Sequence, residues 1–196
     1  QAALSGGLEY GIGRWMLWGS GSGQRTGDYT AGGDFGKVVN SFTRNANGTG
    51  GFGYYADKFF FNSNYNYYQS RYGIPLDIFE ENPEDRALNV HRNNVKFNLG
   101  FRDVNAFVTG GKFTVDLSRY KHTELEDDIV GTTFRNNVDS YRAMFDQKKY
   151  GKWTGRFGFQ GFQRRFSTVG IETLIDGPVV QDSFAVFALE ELKFER

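Results

Sequence analysis

From Phe59 onward the chain alternates with a period of two: Phe59, Phe61, Tyr65 and Tyr67 fall on one parity, and Asn62, Asn64 and Asn66 on the other. Successive side chains of an extended strand point to opposite sides of a sheet, so this is a ribbon with one aromatic and one uncharged polar face. The run continues to about Tyr72, well past the usual strand of about five or six residues. Preceded by GGFGYY and the short break Ala56-Asp57-Lys58, the stretch Gly50–Pro75 reads as two long strands joined by a tight turn. A soluble sheet usually has a charged wet face. Aromatics near strand ends, with uncharged polar residues facing the other way, suit a lipid-facing barrel strand and a hydrated lumen.

Composition supports interleaving. The 196 residues include 20 Phe and 11 Tyr, yet mean hydropathy is -0.54, so apolar residues are spread among polar ones rather than massed. With 26 Gly and 3 Pro, small turns and close-packed strand positions are expected, and a helical bundle is disfavoured. Lys and Arg total 23 against 23 Asp and Glu, so nothing marks a nucleic-acid binder. The absence of Cys excludes thiol catalysis and disulfides. No window of about 18 apolar residues occurs, so no membrane-spanning helix is encoded, which leaves strand-built spans open. The whole of 1–196 is read as one domain.

Taken in order, residues Gly6 to Trp18 read as a strand and Gly19 to Gly36, rich in Gly and Ser, as a long loop. Lys37 to Tyr55 resumes as a strand, with Asn47 to Gly51 a candidate bulge or extra turn. A second long loop holds Pro75, Pro83 and the acids Glu80, Glu81, Glu84 and Asp85, with room for a helical turn. Val95, Phe97, Leu99 and Phe101 then alternate with Asn94, Lys96, Asn98 and Gly100. After Asp103-Val104-Asn105 the chain returns from Ala106 to Thr123, and a third, acidic connection runs from Glu124 to Gly131. Strands over Thr132 to Gln147 and Trp153 to Phe166 follow, then a fourth longer connection from Ser167 to Gln181 and a last strand from Ser183 to Glu195. About eight long strands result, with connections alternately long and short. That asymmetry between the two ends of a sheet is the pattern of outer-membrane barrels, although a soluble barrel with one open mouth would share it.

Three of these stretches carry a resemblance. Tyr72-Gly73-Ile74-Pro75 closes the aromatic hairpin, Tyr120-Lys121-His122-Thr123-Glu124 leads out of a later strand, and Gly131-Thr132-Thr133-Phe134 opens the next. In this order the chain resembles part of the barrel of a TonB-dependent outer-membrane receptor, most like those for zinc, other metals or small nutrients. The resemblance implies a transmembrane antiparallel β-barrel segment in a bacterial outer membrane. It also implies a barrel of about 22 strands around a plug domain, and energy supplied through TonB. Nothing in these residues resembles the plug or the TonB box, so they are expected to be a piece of the barrel. The implied partners are outer-membrane lipid, a small nutrient held by the outer loops, and the remainder of the receptor. A self-contained small barrel with a structural or adhesive role, and a soluble ligand-binding barrel, stay open as alternatives.

The sharpest candidate contacts are His122, Glu124, Glu126, Asp127 and Asp128. An imidazole beside carboxylates can ligate a metal or draw cations toward a pore, and the same residues equally describe a solvated charged loop. Zinc asks for convergent His or Cys and the chain has only His91 and His122, so no metal or cofactor site is assigned. No nucleophile elbow, paired-His motif or phosphate loop is present, and no enzyme activity is expected. Arg102, Arg119, Arg142, Arg156 and Lys96, with Asn94, Asn98, Asp116, Asp139 and Gln160, are expected to line a hydrated wall opposite the aromatics.

Overall fold

The computed structural model describes residues 1–76, 85–171, 173 and 175–194. They form a single antiparallel sheet whose spatial order follows the sequence. Its strands are β1 (Ala2–Ile12), β2 (Trp15–Thr26), β3 (Thr43–Tyr55), β4 (Phe59–Gly73), β5 (Arg86–Phe101), β6 (Val108–Glu126), β7 (Ile129–Gln147), β8 (Trp153–Gly170) and β9 (Val179–Leu192). One short 3-10 turn, Gly33–Phe35, is the single helical element among the described residues. Every strand pairs only with its neighbours in sequence, so β1 and β9 are open edges and the sheet does not close.

Nine strands, not eight, arise because the amino-terminal reading fused two of them. The chain reverses at Gly13, which has φ 57°, a conformation that costs glycine little. β2 then runs straight through the Gly-Ser stretch that looked like loop. Gly19, Gly21 and Gly23 share one face and lie opposite Gly50, Gly48 and Ala46 of β3, while Ser20, Ser22 and Gln24 share the other. The period of two is therefore present in small and polar residues, and ladder pairing on both sides supplies what strand propensity lacks. Asn47 to Gly51 is no bulge, because the β2–β3 and β3–β4 registers run through it unbroken. Register shifts occur instead between β6 and β7, at Val108/Gly110 and Glu124/Leu125.

Connections 13–14, 56–58, 102–107 and 148–152 form one rim of short turns. The opposite rim carries 27–42, 74–85, 127–128 and 171–178. The expected acidic loop from Glu124 to Gly131 is thus a two-residue turn between strands of 19 residues each. Asp127 and Asp128 both have positive φ, 49° and 65°. That is the mirror-image turn geometry matching the twist of a hairpin, and aspartate tolerates it better than most residues. The fourth connection is likewise shorter than expected, since β8 reaches Gly170 and β9 begins at Val179. Glu80, Glu81 and Glu84 lie outside the described residues.

Direct cross-strand partners share a face, so the register assigns every strand residue to one side. One face carries an apolar band near the short-turn rim: Tyr10 and Ile12, Trp15 and Leu17, Phe52 and Tyr54, Phe59 and Phe61, Phe97 and Leu99, Phe113 and Val115, Phe157 and Phe159, Phe184 and Val186. On β5 the band runs from Val95 to Phe101, about 20 Å of strand. Further up the same face the ladder becomes Asn93, Arg119, Asn137 and Arg165. The other face does the reverse, being polar opposite the band and aromatic toward the far rim. With one layer, neither face covers the other. Among the described residues the buried apolar ones are only Ala56, Ala87, Val90, Leu125, Phe134 and Ala143, whereas Leu99 is 52% exposed. The accessible surface of 13529 Å² exceeds the roughly 9,400 Å² of a soluble monomer of this mass.

Candidate functional site

Opposite the apolar band, amide and hydroxyl side chains join strands β3 to β6. Thr49 Oγ1 donates to Asn66 Oδ1 at 2.5 Å, Asn66 Nδ2 to Asn94 Oδ1 at 3.4 Å, and Asn94 Nδ2 to Asp116 Oδ1 at 2.5 Å. A second chain runs from Thr114 Oγ1 to Asn98 Oδ1 at 2.9 Å, from Asn98 Nδ2 to Asn62 Oδ1 at 2.8 Å, and from Asn62 Nδ2 to Tyr55 Oη at 3.3 Å. The period-two asparagines of β4 and β5 make these ladders possible, because paired strands bring amides of equal parity side by side.

The ladders border a concavity of about 600 Å³ over β5 to β9, lined by Lys96, Lys112, Asp116, Arg142, Gln160 and Ser183 among others. Lys96 Nζ lies 3.5 Å from Asp116 Oδ2, and the Arg142 guanidinium sits 5.0 Å above the Phe187 ring. Three cations against one carboxylate give this wall a positive bias toward polar or anionic groups. It offers hydrogen bonds and charge.

Of the expected wall residues, Lys96, Asn94, Asn98, Asp116, Arg142, Arg156 and Gln160 lie on this polar face. Arg119 and Asp139 do not. They form an ion pair on the banded face, above the band, because their odd numbers follow Leu117 and Tyr141. Arg102 lies past the end of β5 and donates to the carbonyls of Asp57, at 2.9 Å, and Ala56, at 3.3 Å.

The five candidate contacts near the far rim divide into two groups. His122, Glu124 and Glu126 have the parity of the polar face, and His122 Nε2 is 4.0 Å from Glu124 Oε1. The imidazole stacks on Phe134, with 4.4 Å between centroids and 15° between planes, and meets Tyr120 edge-on at 5.6 Å. Its Nδ1 is buried without a hydrogen-bond partner among the described residues, and burial lowers the His122 pKa. Asp127 and Asp128 serve the turn instead. Asp127 Oδ1 accepts from the Asp85 amide at 3.2 Å, and Asp128 pairs with Arg71. Among the described residues no three His, Cys, Asp or Glu side chains converge as a metal site.

The aromatic cluster of Tyr120, His122 and Phe134 shares its face with Tyr68, whose ring lies under Arg92 at 5.7 Å, and with Phe166, under Arg164 at 5.5 Å. Sequence reasoning passed over it, although the shared parity of Tyr120 and His122, opposite Asn136 and Phe134, was the signal. No known family model matches the chain, and no curated protein matches it as a relative.

Proposed function

We propose that this chain is a sector of a transmembrane β-barrel in a bacterial outer membrane, built like that of a TonB-dependent nutrient receptor. The observation that carries the reading is a one-layer sheet with an apolar aromatic band on one face, amide ladders on the other, and both edges open. A soluble domain would cover that band with a second layer. Lipid covers it without one.

Several features favour a sector over a self-contained barrel. In an antiparallel meander of nine strands the first and last run in the same direction, so joining β1 to β9 would require a parallel ladder, whereas single-chain outer-membrane barrels of bacteria pair antiparallel throughout. Unpaired backbone edges are not tolerated in hydrocarbon, so β1 and β9 take further strands. In this reading the short-turn rim faces the periplasm and the longer connections face outward. His122, Glu124 and Glu126 then border the mouth, where a small nutrient first meets the wall, and the amide ladders are free to bond a plug. The work is ligand capture and passage, without catalysis and with TonB as the energy source.

The test is heat-modifiable migration of the intact protein after refolding in detergent, with circular dichroism alongside. A compact band that shifts on boiling, with β-type dichroism only in detergent or lipid, is expected. Stable folding in plain buffer would overturn the membrane reading.

A further inference from the structure

The banded face does not simply turn polar above its apolar belt; it turns basic. Arg25, Arg44 and Arg71 are direct partners across β2, β3 and β4, and Lys121 and Arg135 are direct partners across β6 and β7. Arg119 and Arg165 stand on the same face between that pair and the belt. Like charges set directly opposite destabilise a ladder, so three such contacts on one face call for an external counter-ion.

Internal acids supply it only in part, around Arg44 and Arg71, which line one concavity with Asp85, Asp127 and Asp128. The strand acids of this face above the belt are Asp139 and Asp182. Asp139 pairs with Arg119, the turn residue Asp128 pairs with Arg71, and Asp182 accepts from Gln163. Two of the seven cations are thereby neutralised. Arg25, Arg44, Lys121, Arg135 and Arg165 are all exposed and form no ion pair among the described residues.

We infer that this basic belt binds the phosphate groups of lipid head groups in the leaflet nearest the longer connections. The inference rests on the membrane reading above, which puts lipid hydrocarbon against the apolar belt. A head group bordering that hydrocarbon then lies at the height of Arg119 and Arg165. Guanidinium groups suit the task because their planar forks grip phosphate oxygens in pairs.

The intact protein is reconstituted into phosphatidylcholine vesicles with and without a glycolipid bearing two phosphates, and the glycolipid retained after detergent extraction is counted by native mass spectrometry. Heat-modifiable insertion into the plain vesicles is scored first. Failure there overturns the membrane reading and this inference with it. Given insertion, the variants Lys121→Gln/Arg135→Gln and Arg25→Gln/Arg44→Gln should insert normally but bind the glycolipid about fivefold less tightly per charge removed. Lys58→Gln/Lys149→Gln, at the short-turn rim, should match the parent. Equal retention by all variants would overturn the inference. So would binding of inorganic phosphate by the lipid-free, detergent-held protein as tight as its binding of the glycolipid, since the site would then take free phosphate.

Discussion

The imidazole of His122 lies nearly parallel to the ring of Phe134, 4.4 Å away across the β6–β7 ladder, with its Nδ1 out of reach of water. The contact sits toward the far rim, outside the apolar belt. Burial lowers the His122 pKa below its ordinary value of about 6.5. Folding therefore favours the neutral ring, and that contribution is complete above the unfolded-state pKa and lost as pH falls through the folded one. Denaturation midpoints of the parent should drop between about pH 7 and pH 5 more steeply than those of His122→Phe, which keeps the stacking without the titration. Parallel pH profiles would contradict this.

Phe97 and Phe113 stand mid-belt, 38% and 41% exposed on a face with no covering layer. Replacing either with Arg should weaken bilayer insertion by about 2–4 kcal/mol. Asn64→Asp, across the sheet beside Lys96, should be tolerated. Folded yield in lipid vesicles, read by gel shift, checks both. A soluble barrel with those phenylalanines inside would instead unfold in plain buffer.

The outward backbone groups of β1 and β9 have no partners within the described sheet. In the intact protein inserted in lipid, hydrogen exchange should show all amides from Leu4 to Ile12 protected. Fast exchange at every second residue would mean that the edge stays open and would remove the argument for neighbouring strands.

Gly158 separates two crowded neighbours. An added Cβ would run into the Ala143 carbonyl oxygen and come within 2.8 Å of the Phe187 ring. Since the backbone of β7 cannot step aside, Gly158→Ala should destabilise by about 1–3 kcal/mol in chemical denaturation. Gly6→Ala, with nothing within 4 Å of its added Cβ, should stay within about 0.5 kcal/mol of the parent.

Strands β3 to β8 were legible wherever aromatic and polar residues alternate, because burial on one side only imposes that period. β2 was not, since its repeat of Gly19, Gly21 and Gly23 against Ser20, Ser22 and Gln24 carries no hydrophobic signal and is held by neighbours rather than by its own residues. The Asp127-Asp128 turn was hidden because an acidic run looks like loop, and only backbone dihedrals reveal two left-handed residues. Parity alone would have moved Arg119 and Asp139 off the inner wall, but grouping residues by charge obscured their odd numbers. The partition of the far-rim acids was beyond sequence, because the partner of Asp128, Arg71, is 57 positions away.

An odd number of strands also separates the two termini of this stretch. Ala2 begins β1 at the rim of the longer connections, and Leu192 ends β9 at the rim of short turns. If the sheet spans a bilayer as proposed, a protease confined to one side of a sealed vesicle would thus meet one end of the sheet and leave the other untouched, so tags at the two ends report orientation as a complementary pair.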